Sequence, residues 1–404
     1  MGMGAKDSGS DSPPAGAKAT PPLPSLEGYL AKLVALRASD LFLRPGSPPA
    51  YRVNGRVVRT DLPAPSGEQM QKYFDQVLTP LGREHFGRSP DIDVAYALEG
   101  VGRFRINLFM HQGALGLAGR YVPPGQVEFD ALNLPPSILE MADAQTGLIL
   151  VVGPTGCGKS TTLAAMIHQI NATREAHIVT IEDPIEFVHE EIRSLIHQRQ
   201  VGCDTASFAT ALRHVVRQAP DVILIGEMRD SDTIRTAMAA ALTGHLILST
   251  LHTTNVVQSV DRILNYFPPE AHGQVQTDLA ATLVGLVSMR LLPRADGSGR
   301  VPAVEVLRGT PLVRKLIAEA KLAELYDVMK RGGEAGMSTL NQSLVRLCKE
   351  GLVDEQVALR YAPNPDEFRL NMQGMFTGID SIDLRTEVRD KEDGETWNRS
   401  SDPA

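Results

Sequence analysis

The run Gly147-Leu148-Ile149-Leu150-Val151-Val152-Gly153-Pro154-Thr155-Gly156-Cys157-Gly158-Lys159-Ser160-Thr161 decides how the rest of the chain is read. Its first six residues are continuously apolar, as in a strand buried on both faces. Residues 153–160 then satisfy G-x-x-x-x-G-K-[ST] in full, and a helix-compatible stretch, 161–170, follows. Strand, glycine loop and helix are the context in which that pattern cradles phosphate. Glycines let backbone N–H groups converge on phosphate oxygens, and the helix N-terminus adds positive potential. Gly153, Pro154, Thr155, Gly156, Cys157, Gly158, Lys159, Ser160 and Thr161 are therefore the expected nucleotide-binding set. Lys159 is expected to neutralise the β- and γ-phosphates of ATP and Ser160 to coordinate Mg²⁺. Cys157 could be a thiol activated by the helix dipole. The preferred reading is a small residue where Ser would also fit.

Working outward, apolar runs at 178–181, 222–225 and 246–251 alternate with helix-length segments. That rhythm predicts an α/β core around a parallel sheet with helices on both faces. Upstream, Tyr29, Leu30, Leu33, Val34 and Leu36 are spaced for one helical face. Short strands are expected at 40–43, 50–53, 57–58, 94–97 and 103–108, with Asn54-Gly55 as a tight hairpin turn. The expected division is a disordered tail (1–25), an α+β domain (26–122), a Pro-interrupted linker (123–134), the core (135–310), a helical region (311–372) and a mostly disordered tail (373–404). The N-terminal tail is rich in Pro, Gly, Ala, Ser and Lys; the C-terminal one is dominated by charge.

Hydrolysis by a phosphate loop also needs a carboxylate to hold Mg²⁺ or orient water. Two candidates follow apolar runs. Val222-Ile223-Leu224-Ile225-Gly226-Glu227 has glycine where many such strands carry Asp, so Glu227 must supply the charge; Glu182 follows Thr180-Ile181. Strand-end acids converge on the crevice where α/β sheets bind ligands. His245 and His252 bracket the run 246–251, about 23 Å apart if extended, too far to share a metal. His252, at the carboxyl end, is placed to sense a γ-phosphate, whereas His245 should face a neighbouring element or subunit. Arg103, Arg105 and Arg120 read as surface residues on sequence alone, although arginine suits phosphate contacts.

Composition closes several other routes. The 404 residues are 43% hydrophobic and 22% charged, with a net charge of -8. That balance gives no electrostatic case for a nucleic-acid partner. Apolar runs fall far short of the ~20 residues of a membrane helix, and the N-terminus shows no apolar signal core, so a cytoplasmic protein is expected. Three scattered cysteines, Cys157, Cys203 and Cys348, make neither a disulfide framework nor a four-cysteine zinc site.

Taken together, the phosphate loop and segments 180–189, 221–230 and 242–255 resemble the Walker A, Asp box, Walker B and His box of type II/IV secretion ATPases. Within that superfamily the chain is most similar to PilT/PilU-type type IV pilus retraction ATPases, over about residues 26–370. Ala38-Ser39-Asp40-Leu41, Arg103-Phe104-Arg105-Ile106-Asn107, Gly226-Glu227-Met228-Arg229-Asp230 and Gly336-Met337-Ser338-Thr339-Leu340 carry the likeness. The resemblance implies a PAS-like N-terminal domain, a RecA-like P-loop NTPase core and a homo-hexameric ATP-hydrolysing motor for pilus retraction and twitching motility. It implies Glu182 and Glu227 as catalytic acids, Glu227 also as a Mg²⁺ ligand, and Arg103, Arg105 and Arg120 as candidates to reach nucleotide across a subunit interface. Leu312-Val313-Arg314-Lys315-Leu316-Ile317 resembles the C-terminal retraction motif, while Phe42 and Val304 stand where PilT has histidine and lean towards a PilU-like paralogue. Implied partners are an inner-membrane platform protein, met at that membrane's cytoplasmic face, and a paralogous PilT-type ATPase. The alternatives are a pilus-assembly or type II secretion ATPase, or a nucleotide-gated regulatory subunit; assembly motors add a four-cysteine zinc site that this chain cannot build.

Overall fold

The computed structural model describes residues 25–53, 55–122 and 127–375. The expected tails at 1–25 and 373–404 lie outside the described residues except for Ser25 and 373–375, and Asn54 of the hairpin turn is outside them too. The chain divides into two compact units, 1–123 and 124–404.

The first unit is α+β. Helix α1 (Leu26–Ala35) begins at Ser25, whose hydroxyl accepts from the Gly28 N–H, and buries Leu26, Tyr29, Leu30 and Leu33. Leu36, expected on that face, instead caps the helix C-terminus and is exposed. Strands β1 (Asp40–Arg44), β2 (Ser47–Val53) and β3 (Arg56–Arg59) precede α2 (Gly67–Val77) and α3 (Pro80–Arg88). Strands β4 (Asp91–Leu98), β5 (Gly102–His111) and β6 (Ala114–Val122) complete a six-stranded sheet in the order β3-β2-β1-β6-β5-β4. Among the described residues its pairings are all antiparallel, and Val53 opposite Arg56 leaves the two-residue connection that the sequence signals. Strand β6 was not expected: its Ala- and Gly-rich sequence offers little β-type patterning.

The second unit is a seven-stranded sheet, order β13-β12-β7-β11-β10-β8-β9. Its strands are β7 (Gly147–Val152), β8 (His177–Glu182), β9 (Leu195–Gln200), β10 (Val222–Ile225), β11 (Leu246–Leu251), β12 (Leu283–Pro293) and β13 (Arg300–Arg308). All neighbours run parallel except β12 and β13. Alternate residues of β7 feed two cores: Leu148, Leu150 and Val152 on one face, Ile149 and Val151 on the other. Helices α4 (Pro136–Met141) and α5 (Lys159–Thr173) cover the second face. The first face is covered by α6 (Phe208–Val215), α7 (Ser231–Leu242), α8 (Val256–Leu264) and α9 (His272–Thr282).

Two expected boundaries shift. Part of the linker is packed structure: a 3-10 turn at Phe129–Leu132 lies against the α5 core, and Leu134 is buried. The helices after Pro311 belong to the same compact unit as the sheet. Helices α10 (Pro311–Ala318) and α11 (Leu325–Arg331) place Val313, Leu316, Ile317, Leu325 and Met329 in the sheet's own core. Helices α12 (Leu340–Lys349), α13 (Glu355–Tyr361) and α14 (Pro365–Met372) close a smaller cluster over the far ends of β12 and β13. Among the described residues no helix is long and apolar enough to cross a membrane.

Candidate active site

The parallel register sets out the site. Leu251 of β11 pairs with Val152 of β7, Ile225 of β10 with Ser249 of β11, and Ile225 with Ile181 of β8. The phosphate loop, His252, Glu227 and Glu182 therefore leave one carboxyl edge in that spatial order.

Between β7 and α5 the chain turns through Gly153 (φ 146°), Gly156 (φ 76°) and Gly158 (φ 103°). Gly153 is also fixed by space, since a Cβ there would lie 2.5 Å from Cys157 Sγ and 2.7 Å from the Met289 carbonyl. Helix α5, 15 residues long, starts at Gly158 with no side-chain cap. Its first N–H groups are thus left to donate to an anion, whereas most helices among the described residues are capped by Ser, Thr, Asp or Asn. Lys159 is buried, and its Nζ donates to the carbonyls of Gly153 (2.9 Å) and Pro154 (3.2 Å) of its own loop. Ser160 and Thr161 lie at least partly exposed at the helix head. Cys157 is buried, and burial pushes its thiol up despite the nearby Lys159 ammonium. It packs as a small residue and is not activated.

Glu182 ends β8 in a setting dominated by burial, which raises its carboxyl above the ordinary value. One oxygen, Oε1, accepts from Thr180 Oγ1 (2.7 Å) and from Gln198 Nε2 (3.0 Å). Glu227 lies just past β10. It accepts from Arg229 Nε (2.7 Å), and His252 Nε2 is 3.4 Å from its Oε1. Gly226 lies close to β8: a Cβ there would be 3.3 Å from the Ile181 carbonyl and 3.4 Å from Glu182 Cα, a tight fit. An Asp side chain would have to start against the backbone of β8. Two hydroxyls of β11 hold this turn, Ser249 Oγ to the Ile225 carbonyl (2.8 Å) and Thr250 Oγ1 to the Gly226 carbonyl (2.7 Å).

The histidines separate as their strand ends dictate. His252 sits at the site, while His245 Nδ1 lies 2.9 Å from the Ala240 carbonyl, at the C-terminus of α7, a neighbouring element. The turn after His252 is fixed from β12 and β13: Ser288 Oγ and Arg290 Nη2 donate to the Thr254 carbonyl, and buried Glu305 accepts the Val256 N–H (3.0 Å). Arg229, Gln198, Arg290 and Glu305 are not among the expected site residues, although Arg229 lies in the quoted segment 226–230.

The arginines belong to the first unit. Arg105 and Arg120 stand opposite each other on β5 and β6, and Arg103 is opposite Val122. Arg105 pairs with Asp93 (3.3 Å) and Arg120 with Asp40 (2.8 Å), which Arg52 also contacts (3.0 Å). Burial alone would raise the Asp40 carboxyl, but the Ser39 hydroxyl and the two guanidiniums outweigh it and hold the carboxyl low. Arg314 of the C-terminal motif is committed locally, donating to the carbonyls of Gly309, Ala281 and Leu283.

Residues 127–356 match the type II/IV secretion system protein family. The chain belongs to that family. A type IV pilus retraction ATPase PilT of Pseudomonas aeruginosa is 42% identical over 331 residues, spanning 82% of this chain and 96% of the relative. A type IV pilus ATPase PilU of the same organism is 40% identical over 344 residues, 85% of this chain and 90% of that one. Among solved structures, the pilus retraction motor PilT with bound ADP matches with a TM-score of 0.78 at 42% identity, covering 85% of this chain and 98% of the other. The α/β fold of this family member is thus that of a known nucleotide-binding motor.

Proposed function

We propose that this chain is an ATPase that works as a homo-hexameric motor of type IV pilus retraction, the activity that underlies twitching motility. The observation that carries the reading is the uncapped N-terminus of α5, with two acids following on neighbouring strands. The likeness to both a PilT and a PilU supports the retraction class without separating the paralogues.

In this reading Lys159 exchanges its loop carbonyls for the β- and γ-phosphates of ATP. Glu182, half-buried and contacted by the neutral Thr180 and Gln198 donors, orients water and takes its proton. Glu227 is held by Arg229, and His252 reports whether a γ-phosphate is present through its approach to Glu227. Ser160 and Glu227 offer the hydroxyl and carboxylate oxygens that suit Mg²⁺ alongside phosphate, and they are the residues that would hold it. When bound, that ion supplies positive charge to the terminal phosphates. Arg103, Arg105 and Arg120 are candidates to reach the nucleotide of a neighbouring subunit, for which Arg105 and Arg120 would exchange Asp93 and Asp40 for phosphate. The motor would act at the cytoplasmic face of the inner membrane through a platform protein and a paralogous ATPase, attached by proteins alone.

Phosphate release from ATP by the purified full chain tests the reading. Lys159→Ala should lower turnover by at least about 100-fold with unchanged circular dichroism. Turnover retained in that variant would remove the mechanism.

A further inference from the structure

Strand β9 carries no residue of the site as read above, yet it touches the site through one side chain. Thr180 of β8 is in register with Gln198 of β9, so the two share a face of the sheet with Glu182, two residues further along β8. Gln198 Nε2 donates to Glu182 Oε1 at 3.0 Å and to the Phe187 carbonyl at 2.8 Å. Its Oε1 accepts the His189 N–H at 3.0 Å. These partners determine the amide's orientation: a backbone N–H can only face the oxygen, and a carbonyl can only face the nitrogen. Flipping the amide would break all three bonds at once, so its N–H donors stay directed at Glu182.

We propose that Gln198 is a positioning residue for the ATPase reaction: it fixes the direction of the Glu182 carboxylate and keeps it in its acceptor form. This rests on the reading of Glu182 as the group that handles the attacking water. A carboxylate taken out of water tends to hold a proton, and a protonated acid cannot take another. Two donors converge on Oε1, the Thr180 hydroxyl and the Gln198 amide, and both favour the ionised form against burial. With Oε1 held by both side chains, the direction of the carboxylate is set. The charged group whose field acts on Glu182 is Glu186, which opposes ionisation although its backbone N–H favours it. Gly226, just past β10, lies against the Glu182 backbone, with the Phe208 ring of α6 beside it.

The same amide ties Glu182 to the segment after it. Phe187 and His189 lie within the connection between β8 and β9, and Gln200 takes the Ile185 N–H (3.5 Å) further along β9. Movement of 185–189 would therefore be felt at Glu182 through Gln198.

The test is the pH profile of ATP turnover for the full chain carrying Gln198→Met, which keeps an unbranched side chain of similar length but removes the donor. Gln198→Leu serves as the second variant, and whichever retains the wild-type thermal transition is read. Loss of the donor should move the acid limb of kcat up by about one pH unit, with KM for ATP changed less than about threefold. At pH well above that limb, kcat should recover to within about tenfold of wild type. An acid limb that stays in place, with kcat and KM altered alike at every pH, would show a structural role only and overturn the proposal. Unaltered kinetics would overturn it as well. Glu182→Gln is measured in parallel: if it turns over normally, the reading of Glu182 itself fails, whatever Gln198 does.

Discussion

Glu182 and Glu227 end neighbouring strands of one sheet edge, and their surroundings are opposite. Glu182 is half-buried, receives neutral donors from Thr180, Gln198 and the Glu186 backbone, and is pushed up by desolvation. Glu227 is bracketed by a guanidinium and an imidazole, Arg229 and His252, on a turn held by Ser249 and Thr250. Two carboxylates in contrasting environments can divide the work of one reaction, the first exchanging a proton and the second holding charge. The lesson is that strand topology brings both acids to the crevice, while what donates to each decides its use.

The comparison can be broken most forcefully at Glu227. Glu227→Gln should reduce turnover by about 100-fold or more and raise the Mg²⁺ concentration for half-maximal rate by about tenfold, measured by Mg²⁺ titration of phosphate release. Next comes pH. Because the Glu182 carboxyl is raised, its active ionised form prevails only above that raised value. Wild-type turnover should then fall, as pH drops, before an ordinary carboxylate would protonate, and the kcat–pH profile checks this. The same sign makes Glu182 a cost to folding at neutral pH, so Glu182→Gln should raise the thermal midpoint. Arg229→Ala removes an exposed partner of Glu227, and the effect on turnover should not exceed about fivefold, since such pairs contribute about 1 kcal/mol or less. Smallest at the level of rate is Thr250→Val, which loses the bond to the Gly226 carbonyl. It should cost about 1 kcal/mol, a fall of about 2–4 °C in a thermal melt.

Much of this was legible in the sequence, for reasons that also mark its limits. Buried parallel strands such as β7, β10 and β11 are continuous apolar runs, so they and the acids after them stand out. Strand β9, Leu-Ile-His-Gln-Arg-Gln, lies at the sheet edge and is mostly polar, with Gln198 directed at Glu182, so it has no apolar signature. Gln198 was invisible for that reason. Strand β12 is apolar but follows α9 without a break, Thr282 to Leu283, and no turn residue announces the change of period. The helices after Pro311 read correctly as helices, yet their apolar faces complete the sheet's core, a tertiary fact that local pattern does not carry. Gly226 looked like a departure from the usual acid. The close approach of β8 makes it a tight position, and the charge is carried by Glu227.

The central claim is that α5 binds the phosphates while Glu182 does chemistry on them, two jobs that a single variant can separate. Calorimetric titration of a non-hydrolysable ATP analogue, run beside phosphate release for wild type and Glu182→Gln, measures both. The account predicts a Kd within about threefold of wild type and turnover lower by at least about 100-fold. Wild-type turnover in Glu182→Gln, or binding lost in step with turnover, would contradict it.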